Sequence, residues 1–310
     1  GVLLVIQTVI FSLPLFFSSA WIVWCAGGVA GACSAWLWPI VESYLVAGRH
    51  GKDMRQSIWW WNLVWMSSVA GVMIAMAFMM DKHASMVIVC IGVMNIFAVG
   101  VLPWYGKNPI EHDEKIAKEH VPETYRGLLK GARVLLSLSY AINGVLAPLL
   151  PYVLPGLGVT IFWQTPLVSV WMISRVVMTA LLWHFATWHG RWSVLWIAIA
   201  TMAIGFVGIL SATELSMLIF GLVLFGAGTG ITYYAALYYA MAVGQAKVDA
   251  GGTHEAFIGG GYMVGPIVGL IAIQSSSYAQ VTSYQTIIIF VLSLLFLATG
   301  ALALFWRKAR

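Results

Sequence analysis

The chain has 310 residues, of which 61% are hydrophobic and only 9% are charged, and its formal net charge is +5. Soluble domains carry about 25% charged residues, so this composition excludes a water-soluble globular protein. A basic excess can indicate nucleic-acid binding, but membrane proteins also hold Lys and Arg in their cytoplasmic loops. We therefore expect a lipid bilayer as the solvent and no nucleic-acid partner.

Apolar runs follow one another along the chain, each about 20 residues long, which is the length that a helix needs to cross about 30 Å of hydrocarbon. The strict alternation of barrel strands is not found. The pattern predicts an all-α, polytopic membrane protein with about ten transmembrane helices. The predicted spans are residues 2–17, which is short, 21–47, 58–80, 84–105, 129–153, 162–185, 192–210, 215–243, 255–273 and 286–306.

A polar stretch of mixed charge follows the fourth span and predicts a solvated linker over residues 106–128. The expected domains are therefore a partial helical bundle over residues 1–105, this linker, and a six-helix bundle over residues 129–310. If the linker is cytoplasmic, 14 of the 16 Lys and Arg residues lie on that side, and only Lys82 and Arg175 do not. This asymmetry predicts a plasma (inner) membrane protein with both chain ends cytoplasmic.

Glycines indicate an internal repeat. Gly28 and Gly71 lie 43 residues apart across the second and third spans, and Gly226 and Gly269 lie 43 apart across the eighth and ninth. The repeating unit then has six helices, so the first unit, with four, is expected to lack its first two. The chain begins with Gly1 rather than Met, which fits a start inside a longer protein. Parallel repeats occur in two-half transporters; chance spacing of membrane glycines is the alternative.

Glu42 stands near the end of the second span, and Arg49 follows after six intervening residues. A carboxylate at a helix end in lipid is costly unless it is paired. Arg49 or Arg55 is the expected partner of Glu42. The alternative is an interfacial Glu42 that reaches the headgroups and has no gating role.

Two further stretches contain glycine or proline residues that affect the backbone conformation. Gly190 and Arg191 lie between the sixth and seventh spans, where Gly permits a tight turn and Arg caps helix C-termini. In the ninth span Pro266 removes one backbone hydrogen bond and predicts a bend. Gly261, Gly265 and Gly269 recur every four residues and predict a smooth face for close packing beside it.

These three stretches and the four-plus-six arrangement resemble the major facilitator superfamily, whose complete members have twelve helices. The resemblance implies that the ten spans are family helices 3 to 12. It implies a cytoplasmic gate role for Glu42 and Arg49 and likens Gly190 and Arg191 to the tail of a family loop motif, although Thr187 stands where an acid is expected. Gly265 and Pro266 are similar to a helix-bending motif that antiporter members carry on helix 5, here on the matching helix of the second half.

The resemblance also implies which spans line the substrate path, namely the second, fifth and eighth. Their polar residues include Tyr140 and Asn143 in the fifth span and Tyr234 and Tyr238 in the eighth, and packing between helices is the alternative for any single tyrosine. Arg175 lies in the middle of the sixth span, where an isolated charge costs at least about 2.5 kcal/mol, so it must face a cavity or an acid. Gln164 is a further candidate near the outer end of that span.

His254 and Glu255 open the predicted ninth span at its cytoplasmic end. Helix capping is the first interpretation, because Thr253 or His254 can precede the helix and Glu255 favours its N-terminal dipole. Proton transfer by a histidine beside a carboxylate is the second. Both residues are therefore candidates for a gating or conformational role.

The function expected from this resemblance is secondary active transport of a small organic solute by alternating access, with a proton or a sodium ion as the candidate coupling ion. The transporter is expected to be a monomer with no cofactor, no metal and no catalytic residues. His184 and His189 are five positions apart and do not share a helix face, and no nucleotide-binding loop is found. A membrane-embedded enzyme and an inactive, truncated transporter fragment are the alternatives.

Overall fold

The computed structural model describes residues 1–17, 19–46, 48–49, 51–80, 84–106, 122–243, 248–279 and 282–309. In this part of the chain every long regular element is an α-helix. The helices are α1 (Val2–Ser12), α2 (Ala20–Val46), α3 (Gly51–Met80), α4 (Ala84–Val101), α5 (Glu123–Leu146), α6 (Leu150–Gly156), α7 (Ile161–His184), α8 (Ser193–Leu210), α9 (Leu215–Val243), α10 (Val248–Ala279) and α11 (Ser283–Lys308).

Among the described residues, eight helices are long and apolar enough to cross a membrane, and α5 and α6, which meet at a bend of 53°, make a ninth if they form one span. Pro148 and Pro151 lie at this bend, where missing N–H groups and ring clashes interrupt the helical hydrogen bonds. The first helix is a shorter apolar segment, as predicted. The predicted all-α, polytopic fold class is confirmed.

Three helices begin six or seven residues earlier than the apolar pattern predicts, and the first of them is α3, which starts at Gly51. α5 starts at Glu123, and α10 starts at Val248, so His254 and Glu255 lie about two turns inside α10. The helix-capping interpretation of these two residues is therefore wrong, because the orphan N–H groups of α10 belong to residues that precede them. Residues 107–121 of the predicted linker lie outside the described part of the chain.

The helices pack in two groups. In the first, α1 packs against α2 and α4, and α3 contacts α2 and α4. In the second, α5 packs against α8, α9, α10 and α11, and α8 lies along α9. The two groups meet where α3 packs against α7 and where α2 packs against α10.

The α3–α7 contact runs along both helices in antiparallel order. Near one end, the indole of Trp59 stacks on that of Trp183 with ring centroids 4.4 Å apart and an interplanar angle of 27°. Near the other end, Phe78 meets Phe162 edge-on at 5.4 Å. This antiparallel pair therefore joins the two groups from one side of the bundle to the other.

The predicted glycine face of α10 is the surface by which that helix packs on α5. A Cβ built on Gly265 would lie 3.0 Å from the Cα of Gly144, and one built on Gly144 would lie 3.2 Å from the Cδ of Pro266. Only glycine allows two helix backbones to approach this closely. α10 continues through Pro266 without a break, and the bend expected there stays a prediction.

Candidate functional site

A cavity of about 180 Å³ lies between the two groups of helices. Its wall is mostly aromatic and combines α2 and α3 of the first group with α5, α9 and α10 of the second. The lining residues are Trp38, Trp65, Tyr140, Tyr233, Glu255, Ile258 and Tyr262. Such a concave, largely apolar site with a few polar groups is typical of small-molecule binding.

Side-chain amides fix the orientation of two of these rings. Asn62 is fully buried, and its side-chain NH₂ donates to the Ile58 carbonyl at 2.7 Å while its oxygen accepts the Trp65 indole N–H at 3.2 Å. On the opposite wall, the side-chain NH₂ of Asn143 donates to the Tyr262 hydroxyl at 3.3 Å. The predicted candidate Asn143 therefore acts on the cavity through Tyr262.

Arg175 lies behind this wall and is 2% exposed. Its guanidinium carbon is 4.4 Å from the ring centroid of Tyr233, 5.2 Å from that of Trp65 and 5.6 Å from that of Tyr140. A guanidinium N–H also donates to the Tyr140 hydroxyl at 3.0 Å. A desolvated cation–π contact contributes about 2 kcal/mol or more. The sequence predicted that Arg175 faces a cavity or an acid, and in the structure aromatic rings stabilise its charge.

A glycine brings the helices together at this point. A Cβ built on Gly230 of α9 would lie 3.0 Å from the carbonyl oxygen and 3.1 Å from the Cα of Arg175. The backbone of α9 can therefore approach α7 closely. Tyr233, one turn further along α9, then reaches the guanidinium.

Three ionisable side chains converge next to the cavity wall. Glu42 of α2 meets His254 and Glu255 of α10, and one carboxylate oxygen of each glutamate and one imidazole nitrogen lie within 4.8 Å of one another. Glu42 is 1% exposed and His254 is fully buried. Neither ring nitrogen of His254 nor the Oε2 atom of Glu42 has a hydrogen-bond partner. We call these three residues the Glu–His–Glu cluster.

The expected partners of Glu42 lie elsewhere. Arg49 is exposed, and its guanidinium donates to the Leu45 carbonyl one turn earlier, so that it caps the end of α2. Arg55 lines a separate pocket beside His189. The predicted pairing of Glu42 with either arginine is therefore wrong, because α10 covers the Glu42 carboxylate instead.

No protein-family model matches the sequence, and no curated protein matches it either. Nine solved chains match in structure. One is the crystal structure of a variant of the E. coli fucose:proton symporter, which is 14% identical with a TM-score of 0.54 over 96% of this chain and 81% of that chain. The chain has the major facilitator fold. The protein is therefore an integral, multi-pass membrane protein, and the predicted fold is confirmed.

Two of the tyrosines that the sequence predicted for the substrate path do not line the cavity of this major facilitator fold. The Tyr238 ring stacks on that of His189 at 4.6 Å with an interplanar angle of 9°. Tyr234 packs against Trp188 at 5.8 Å and lines a second pocket, of about 190 Å³, together with Arg55 and His189. These contacts favour a packing role for both tyrosines.

The turn at Gly190 belongs to the same aromatic surroundings. Gly190 has a φ of 73°, a left-handed conformation that favours glycine, and its N–H donates to the Tyr239 hydroxyl at 3.1 Å. Arg191 is exposed.

Gln164 lies in the first turn of α7, eleven residues before Arg175 and so about 16 Å from it along the helix axis. It is not part of the cavity lining.

His189 provides a prediction about pH. Burial and, second, the positive charge of Arg55 lower the pKa of His189 to about 4, from the usual value of about 6.5. The unfolded chain then binds the proton more readily, so stability is fully present above pH of about 6.5 and is lost as the pH falls towards 4. We expect the Tm to fall between pH 7 and pH 5, and to fall less in His189→Asn.

The matched control for this measurement is His184→Asn, since His184 is an exposed histidine five residues earlier. Its Tm should follow that of the wild type at every pH. An equal pH slope in His189→Asn and the wild type would contradict the assignment.

Sequence reasoning missed Trp38, Trp65 and Tyr262 as cavity residues. One signal was present for Trp65, because a buried Asn62 three residues earlier on a membrane helix needs a partner on the same face. Nothing in the local sequence distinguishes Trp38 from the lipid-facing Trp36, which is 72% exposed.

Proposed function

We propose that this protein is a secondary active transporter that moves a small organic solute across the bilayer by alternating access. The observation that carries the proposal is the aromatic cavity, because its wall is shared by the two groups of helices. A solute bound there contacts both groups, so it can influence how they pack. The likeness to a fucose:proton symporter supports a transporter over a membrane-embedded enzyme.

The cavity also indicates a class of solute. Its volume of about 180 Å³ is below the roughly 300–1,000 Å³ of pockets for drug-sized ligands, so the solute is small. Aromatic walls favour a solute with an apolar face, and Glu255 and the tyrosine hydroxyls bind hydroxyl or amino groups. Since the Arg175 charge contacts the rings, we propose a neutral or cationic polar solute rather than an anion.

The proposal also covers the two bundles, the orientation in the membrane, the coupling ion and the gating residues. The predicted bundles are residues 1–105 and 129–310, and the second is extended here to residue 123, where α5 begins. Both chain ends lie in the cytoplasm of a plasma (inner) membrane protein that acts as a monomer. The positive-inside asymmetry supports this orientation. The proposed coupling ion is a proton or a sodium ion. The proposed gating residues are Glu42, Arg49, Gly190, Arg191, His254, Glu255, Gly265 and Pro266.

Counterflow in proteoliposomes tests the proposal. The purified chain is reconstituted with an unlabelled solute inside, and labelled sugars, polyols, amines and organic anions are offered outside one at a time. We expect exchange of at least one neutral or cationic solute, recovered chemically unchanged. A solute that emerges altered would establish an enzyme, and a correctly inserted chain that exchanges none of them would establish the inactive alternative.

A matched pair of tryptophans tests the cavity itself. Trp38→Ala removes one wall, and we expect the KM for the exchanged solute to rise about tenfold, because a lost aromatic contact costs about 0.5–1.5 kcal/mol beyond its buried area. Trp36→Ala is the control, since Trp36 stands two residues earlier and is 72% exposed. The KM values of wild type and Trp36→Ala should agree. A normal KM in Trp38→Ala would place the solute elsewhere.

A further inference from the structure

The Glu–His–Glu cluster presents buried polar atoms that the protein itself does not satisfy. His254 is 0% exposed and has two ring nitrogens without a hydrogen-bond partner, and Glu42 has one such oxygen. Leaving a buried polar atom unpaired costs about 1–3 kcal/mol, and more for a charged group. Most such atoms in native proteins are satisfied by protein, water or an ion. The cluster therefore indicates a bound group.

The geometry indicates that this group is a single ion. The three donor atoms lie at most 4.8 Å apart, and a triangle with sides of that length has its centre about 2.8 Å from each corner. A metal ion at the centre thus needs each donor to move by less than about 1 Å to reach the usual 2.0–2.2 Å for carboxylate and imidazole ligands. Gly251 leaves room here, because a Cβ on it would lie 2.7 Å from the Glu42 Oε2 atom.

The donor types select the class of ion. Two carboxylates and one imidazole suit divalent first-row transition metals, whereas calcium and magnesium prefer sites made of oxygen alone. Three protein ligands leave a fourth tetrahedral position for water. Arg133 and Arg175 are two cations that interact electrostatically with His254, and both have other partners. Arg175 donates a hydrogen bond to the Tyr140 hydroxyl, and the guanidinium carbon of Arg133 lies 5.6 Å from the centroid of the Phe257 ring.

We propose that Glu42, His254 and Glu255 bind one divalent transition-metal ion of the Zn²⁺ class. The site is divided between the two groups of helices, since Glu42 belongs to α2 and the other ligands belong to α10. A metal ion held there ties these helices together. Given the proposed transport function, the ion holds the bundle in the conformation in which α2 and α10 touch, and so inhibits exchange.

Binding is measured on the whole chain in detergent, without any need for transport. The protein is stripped with a chelator and titrated with Zn²⁺ against a fluorescent chelating competitor. We expect one Zn²⁺ per chain, competition by Mn²⁺ but not by Mg²⁺, and an affinity about 100-fold weaker in each of Glu42→Gln, His254→Asn and Glu255→Gln. Gel filtration and circular dichroism select the variants that fold.

Two surface residues supply matched controls. Glu214→Gln and His184→Asn remove an exposed carboxylate and an exposed imidazole and should leave the Zn²⁺ affinity unchanged. In proteoliposomes, Zn²⁺ should slow exchange by the wild type and not by His254→Asn. Because the titration needs no solute, a chain that binds Zn²⁺ and exchanges nothing would contradict the transport function alone.

Three results would overturn the metal site. The first is a folded wild type without stoichiometric Zn²⁺ binding. The second is an unchanged affinity in the three cluster variants. The third is a cluster whose substitutions alter the response to pH and not the response to Zn²⁺, which would show that Glu42, His254 and Glu255 share a proton instead.

Discussion

Arg175→Ala is expected to lower kcat/KM for solute exchange by about 100-fold, which corresponds to about 2.7 kcal/mol. The substitution removes the hydrogen bond to the Tyr140 hydroxyl and the guanidinium on which Tyr140, Tyr233 and Trp65 rest. The buried hydroxyl is left without its donor, and the rings lose their common support. Because Arg175 acts through the cavity wall, most of the loss should appear in KM.

Arg175→Lys separates charge from shape. An ammonium group keeps the charge but cannot stack its plane on the rings, so we expect kcat/KM to fall by at least about tenfold here as well. Arg307→Ala removes an exposed arginine that has no proposed role in gating or binding and should match the wild type. An unchanged kcat/KM in correctly inserted Arg175→Ala would remove Arg175 from any part in solute binding.

Gly265→Ala is expected to lower the free energy of unfolding by about 1–3 kcal/mol, the usual cost of overpacking. The new Cβ would press on the backbone of α5 at Ala141 and would lie 3.0 Å from the Cα of Gly144. Neither contact can be relieved by a side-chain rotation. Thermal unfolding in one detergent measures the effect.

Gly260→Ala is the matched control, because it lies on the same helix and a Cβ there meets nothing within 4 Å. Alanine has the higher helix propensity, by about 1 kcal/mol, so this variant should equal or exceed the wild type in Tm. Equal Tm values for Gly265→Ala and Gly260→Ala would show that α5 and α10 do not pack this closely.

The fold was predictable from the sequence because lipid imposes a minimum length on every span. Within the described ranges, the apolar runs locate all of the long membrane helices, and the shortness of the first is visible in the same way. The start of α10 was not predictable by this route. Hydropathy marks where a helix enters lipid, whereas α10 begins at Val248, in a polar stretch that precedes the apolar run.

The site was predictable only in part. Polar residues inside spans directed attention to Tyr140, Asn143 and Arg175, of which Tyr140 lines the cavity and the other two donate hydrogen bonds to its tyrosines. The choice of Tyr234 over Tyr233 was not decidable, because α9 is buried on nearly all sides and successive residues point about 100° apart. Glu42 and His254 are 212 positions apart, so only the packing of α2 on α10 shows that they meet.

The stacked indoles of Trp59 and Trp183 have a practical consequence. They belong to different groups of helices, and their centroids are 4.4 Å apart. Any rearrangement that draws this end of α3 away from α7 must separate them and change their near-ultraviolet absorption and emission. The difference between wild type and Trp183→Phe isolates that signal, so the protein contains its own optical reporter and needs no attached dye.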